Sequence, residues 1–162
     1  MISKRVEKMI STQINREIES AYIYMAMQQY IANNYSFEGF EHFFGEQAKE
    51  EMDHAYSMIK FLHELDKEVS LEAIPKPQTD FKDYIDVFEK AYAHEQKVTA
   101  WIKEILVAAV EEKDFAAESL LRHFIDEQVE EEDTFRTHVE TLNFIKDDKM
   151  AVMSYNLHLA KR

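Results

Sequence analysis

The chain has no cysteine, two glycines, two prolines and a single tryptophan. Without Cys there is no disulfide scaffold, thiolate zinc site, iron–sulfur cluster or cysteine nucleophile, and a reducing cytosol is favoured. Scarce glycine, a hydrophobic content of 46% and the lack of strand-like alternation point to an all-α protein. No stretch approaches 18 uncharged apolar residues, and Met1 to Lys8 has no apolar signal region, so a soluble, cytoplasmic chain without membrane contact is expected. Positive charge is scarce too: 19 Lys and Arg face 32 Asp and Glu, a formal net charge of −13. Such a field repels nucleic acid and attracts cations. With no repeat or low-complexity tract, residues 1–162 are expected to form one domain with a sizeable core.

What is present is a set of four helical stripes. Steps of three and four give Ile10, Ile14, Glu17, Ala21, Tyr24 in the first segment and Phe44, Gln47, Glu51, His54, Met58 in the second. The third runs Phe88, Ala91, Glu95, Val98, Ile102, and the fourth Leu121, Phe124, Gln128, Glu131, Phe135. Each apolar stripe is broken near its middle by metal-ligand residue types. Helices over about 3–33, 37–65, 81–111 and 115–145 would put each break about 21 Å from its start, at 1.5 Å per residue. Midpoints of packed neighbours share one level, so the four breaks converge.

Four buried carboxylates without counter-charge would repel or protonate. Two divalent ions would balance Glu17, Glu51, Glu95 and Glu131 one for one. Residues three apart on a helix share a face, so Glu51 and His54 can bind one ion together. Oxygen-rich ligation with one imidazole suits iron or manganese, and an inward Glu-x-x-His is the arrangement of two-metal carboxylate bundles.

The connections complete the architecture. Asn33 to Ser36 makes a short turn, with Ser36 the expected cap of the second helix and Gly39 just inside it. Residues 66–80 carry Pro75 and Pro77 and break periodicity. Extended, they reach about 50 Å, the height of a bundle, so one long crossover is expected before a third helix capped by Thr79 or Asp80. Asp114 should cap the fourth helix. Over 148–160, Met150, Met153, Leu157 and Ala160 fall at helical spacing and suggest a short fifth helix serving subunit contacts.

With these pieces in place the chain resembles the ferritins, specifically the prokaryotic non-haem ferritins, over essentially its whole length. The matching segments are INREIESAYIYM around Glu17 and Tyr24, QAKEEMDHA around Glu51 and His54, YAHEQKVT around Glu95, and DEQVEEED around Gln128 and Glu131. The resemblance implies an iron store with ferroxidase activity: a hollow homo-oligomer of 24 subunits that oxidises Fe(II) with oxygen or hydrogen peroxide and holds ferric mineral. It assigns Glu17, Glu51 and His54 to a first iron, Glu51 as the bridge, Glu95 and Glu131 to a second, and Gln128 to the border. Glu50, Glu127 and Glu130 match a third iron site with Glu131 shared, and Tyr24 matches a tyrosine beside the diiron centre that donates a hydrogen bond or an electron.

The rival reading is a haem-containing bacterioferritin, since Met52 stands where that relative has its haem-ligand methionine. Bacterioferritins carry a second Glu-x-x-His on the fourth helix, whereas Gln128-x-x-Glu131 has no imidazole, so no haem is expected. A diiron oxidase or peroxidase is a weaker alternative, and the acidic balance opposes a DNA-binding miniferritin. Among the other residues, His138 reads as a hydrogen-bonded core histidine and His94 as a surface or interface one. Trp101, Phe40, Phe43 and Phe44 read as packing.

Overall fold

The computed structural model describes residues 2–161. It contains α1 (Lys4–Asn34), α2 (Glu38–Glu64), α3 (Tyr84–Glu111), α4 (Phe115–Ile145) and α5 (Lys149–Leu159), with no strand among the described residues. None of these helices is long and apolar enough to cross a membrane.

Most helix starts are written locally. The side chains of Ser3, Asp83, Asp114 and Asp148 accept from the first free amides of α1, α3, α4 and α5. Asp114 is thus the expected cap, while α3 departs from expectation. Neither Thr79 nor Asp80 caps it; Asp83 accepts from the Asp86 amide at 2.9 Å while the Asp86 carboxylate accepts from the Lys82 amide at 3.0 Å. This reciprocal pair delays the helix to Tyr84.

Ser36 does not cap α2 either. The helix starts after Phe37 with no side-chain bond from its own cap residue. Instead Asn156 of α5 accepts, through Oδ1, from the amides of Gly39 at 2.9 Å and Phe40 at 3.1 Å. A Cβ on Gly39 would sit 1.7 Å from the Asn156 carbonyl oxygen, so glycine is what lets α5 come this close.

α1 packs on α2, α3 on α4, α1 on α3, and α5 on α2 and α4. Short turns make each of the first two pairs antiparallel. The crossover from Leu65 to Asp83 is pinned along α1: Asn15 donates to the Ser70 carbonyl at 2.9 Å and accepts from the Glu72 amide at 2.8 Å, and Tyr30 donates to the Phe81 carbonyl at 2.9 Å. The apolar residues of α5 predicted as a stripe face outward: Met150 and Leu157 are exposed, while Val152, Asn156 and Leu159 are buried on the chain's own helices.

The interior separates into two apolar clusters. One gathers Tyr24, Met27, Ile31, Phe40, Phe43, Phe44, Phe88 and Phe135; the other gathers Ile10, Ile14, Met58, Leu62, Ile102, Ile105, Leu121 and Phe124. Along every long helix the polar breaks fall between them. The core is therefore two hydrophobic blocks with a buried polar layer in the middle.

Candidate metal centre

Glu17 from α1, Glu51 and His54 from α2, Glu95 from α3 and Gln128 from α4 all enter the polar layer, with Glu131 at its edge. Glu17, Glu51, Glu95 and Gln128 are buried; His54 and Glu131 are half-buried. One ligand atom each from Glu17, Glu51 and His54 lies within 4.8 Å of the other two. His54 Nδ1 is 3.2 Å from Glu51 Oε2 and 4.0 Å from Glu17 Oε2. Glu17 Oε2 is buried with no hydrogen-bond partner. A buried carboxylate oxygen left without a donor is costly, and a cation at this point would relieve it.

The other side of the layer is arranged differently. Tyr24 Oη donates to Glu95 Oε1, and Gln128 Nε2 lies 3.0 Å from Glu95 Oε2, 3.3 Å from the Glu95 carbonyl and 3.1 Å from Thr99 Oγ1. Gln47 Nε2 donates to Glu131 Oε2 at 3.0 Å. Glu95 thus has both carboxylate oxygens bonded to protein, whereas Glu17 keeps one bare. The layer is asymmetric.

Electrostatics follow from this crowding. Burial, then the charges of Glu17 and Glu95, push the Glu51 carboxyl well above the usual carboxylate range. Burial raises Glu95 as well, opposed by the hydrogen bonds from Tyr24 and Gln128. The Tyr24 phenol is raised by burial and by the nearby Glu95 and Glu51, so it stays a proton donor at neutral pH.

Beside the layer, Glu50, Asp53, His54, Glu127, Glu130, Glu131 and Thr134 line an open pocket of about 400 Å³. Glu127 Oε2 lies 3.5 Å from His54 Nε2 and is itself buried without a hydrogen-bond partner, so the imidazole has a carboxylate near each of its nitrogens.

All ten predicted site residues lie in this layer or its pocket, except that Tyr24 stands just behind, through Glu95. Stripe counting passed over Gln13, whose Nε2 is 2.7 Å from Glu17 Oε1, and Thr99, and it placed Gln47 in the second stripe without giving it a role. The available signal was a buried amide one helical turn before a stripe carboxylate, Gln13 before Glu17 and Gln47 before Glu51. His94 is a correction. It is half-buried, bonded to Ser20 Oγ at 2.7 Å and set edge-on to Tyr24. Burial, with Lys97 adding, lowers it to about 4, because its helix is rotated to put position 94 into the groove against α1. His138 is buried and bonded to the Tyr155 hydroxyl, as expected.

Fold and site together define a long-crossover helical bundle carrying a carboxylate–histidine layer suited to divalent cations. Residues 7–145 match the ferritin-like domain. The bacterial non-heme ferritin of Staphylococcus haemolyticus is 38% identical, aligned over 100% of this chain and 97% of its own length. That of Staphylococcus aureus strain USA300 is 36% identical over the same shares. A crystallised open pore ferritin from the hyperthermophilic archaeon Archaeoglobus fulgidus has a TM-score of 0.97 at 36% identity, covering 100% of this chain and 99% of that one. The chain belongs to the ferritin family.

Proposed function

We propose that this protein is a cytoplasmic, non-haem iron-storing ferritin with ferroxidase activity. It takes Fe(II) as substrate at the buried layer, oxidises it with oxygen or hydrogen peroxide, and keeps ferric mineral inside a hollow homo-oligomeric shell, 24 subunits by the resemblance. The observation that carries this is Glu17 Oε2, buried without a partner beside Glu51 and His54 where only a cation completes the site.

On this reading Glu17, Glu51 and His54 receive the first Fe(II), and Glu51 also serves the second ion with Glu95 and Glu131. Bound iron supplies the electrons; the chain neutralises, orients and excludes water. Gln47 orients Glu131, and Gln128 with Tyr24 orients Glu95. Glu95 at the second position has both oxygens hydrogen-bonded, whereas Glu17 at the first keeps one bare, so the second binds more weakly and passes oxidised iron on. Glu50, Glu127, Glu130 and the shared Glu131 supply a third site in the open pocket, leading from the buried pair towards the mineral. The named relatives are non-heme ferritins, which supports the reading without haem.

Anaerobic Fe(II) titration followed by oxygen admission, with light scattering for particle mass, tests it. The expected result is an absorbance break at two or three irons per chain on a large assembly, with the fast phase lost in Glu51→Ala. A monomer with no break, or a Glu51→Ala variant oxidising its first two irons at the normal rate, would refute it.

A further inference from the structure

Gln13 stands in the buried layer on α1, one turn before Glu17, with no exposed surface. Its neighbours along the helix, Ile10 and Ile14, belong to an apolar cluster. Its amide is half satisfied. Nε2 lies 2.7 Å from Glu17 Oε1, while Gln13 Oε1 is buried with no hydrogen-bond partner. Turned the other way, the amide would set its carbonyl oxygen against a carboxylate, acceptor against acceptor, so this orientation is the one chemistry requires. An unpartnered buried carbonyl destabilises the fold, and an apolar side chain would avoid it. What the glutamine supplies in return is its N–H on Glu17.

That N–H divides the two oxygens of Glu17. Oε1 is engaged by a neutral donor whose protonation does not vary with pH. Oε2 is the oxygen 4.0 Å from His54 Nδ1 and has no donor. A carboxylate binds an ion through two oxygens only when both are available to it, and here Oε1 already accepts the Gln13 N–H. The three other carboxylates have different restraints: Glu95 takes Tyr24 and Gln128, Glu131 takes Gln47, and Glu51 faces His54. Gln13 therefore acts on Glu17 alone.

We propose that Gln13 is a positioning residue that restricts Glu17 to one-point ligation through Oε2. The first cation is then held by one oxygen of Glu17 rather than two, which keeps a place on the ion open and keeps its affinity low enough for onward transfer. This rests on the reading of the Glu17, Glu51 and His54 cluster as a cation site and adds to it the residue that sets how one ligand binds.

Anaerobic titration with Co(II) tests the proposal without iron chemistry. Gln13→Met, unbranched and near in volume, removes the donor and the orphan carbonyl together. The expected result is about tenfold tighter binding of the first Co(II), the size of one added charge-assisted contact. Its visible absorption should also weaken, as it does when Co(II) gains a ligand. A variant with wild-type affinity and spectrum, or with weaker binding, overturns the proposal. The wild-type protein supplies an arm that does not depend on the variant folding. Its Zn(II)-induced infrared difference spectrum should contain the wide carboxylate splitting of one-point ligation, assigned by its loss in Glu17→Gln; a narrow two-point splitting there overturns the proposal. Failure of the wild-type protein to bind Co(II) at all would overturn the cation-site reading and this inference with it, whereas binding indifferent to position 13 overturns only the latter.

Discussion

Replacing Glu51 with Gln in the metal-free protein should change the slope of stability against pH. Glu51 is 3% exposed, with fully buried Glu17 and Glu95 beside it, and its carboxyl is raised by burial and then by those charges. The unfolded chain ionises near the ordinary glutamate value of about 4.3. Above that pH and up to the raised folded value, the folded state holds a proton that the unfolded state has released. Stability therefore falls as pH rises through this window, by at most about 1.4 kcal/mol per pH unit for one group. Glu95 is raised as well, so the metal-free wild type loses stability through both carboxyls. Glu51→Gln removes one of them and leaves a neutral amide, itself a donor, in place of the protonated carboxyl. Equilibrium urea unfolding of metal-stripped protein from pH 5 to 8, followed by circular dichroism, reads the difference. The variant should have the shallower slope, by up to about 1.4 kcal/mol per pH unit, and be the more stable at pH 7. Divalent metal should reverse the ranking, since it replaces the proton only where the carboxylate remains. Parallel slopes for the two proteins would refute the assigned burial and repulsion.

The remaining predictions test the parts around the centre. Asn156→Ala should cost about 1–3 kcal/mol in urea unfolding, because two buried α2 amides lose their acceptor, while Ser36→Ala stays within about 0.5 kcal/mol; equal losses would mean that α5 does not cap α2. Met52→Leu should leave Fe(II) oxidation unchanged, and haem titration of the wild type should give no ligand-type absorption shift; a shift abolished by Met52→Leu would revive the haem reading.

Much of the centre was legible from periodicity because burial and helical spacing are local in origin. A carboxylate in an apolar stripe is buried wherever the helix packs, and four such breaks at one depth can only meet. That logic placed Glu17, Glu51, His54, Glu95, Gln128 and Glu131 in one layer, whereas Glu50, Glu127 and Glu130 were assigned beside it by the family resemblance. It failed where the partner of a group comes from elsewhere in the chain. Asn156 lies 117 residues from the Gly39 amide that it accepts from, and no local pattern announces a cap from another helix. His94 was misread because its surroundings depend on how α3 is rotated against α1.

The sequence by itself determined the all-α class, the long crossover and the set of buried carboxylates with their single histidine, since each follows from spacing along one segment. Only the tertiary structure decided which oxygen of each carboxylate is already bonded. Gln13 takes one oxygen of Glu17, Tyr24 and Gln128 take both of Glu95, and Gln47 takes one of Glu131. The reason is physical: hydrogen bonds depend on distances and angles of a few tenths of an ångström between side chains on different turns and helices, and these exist only once the helices have packed.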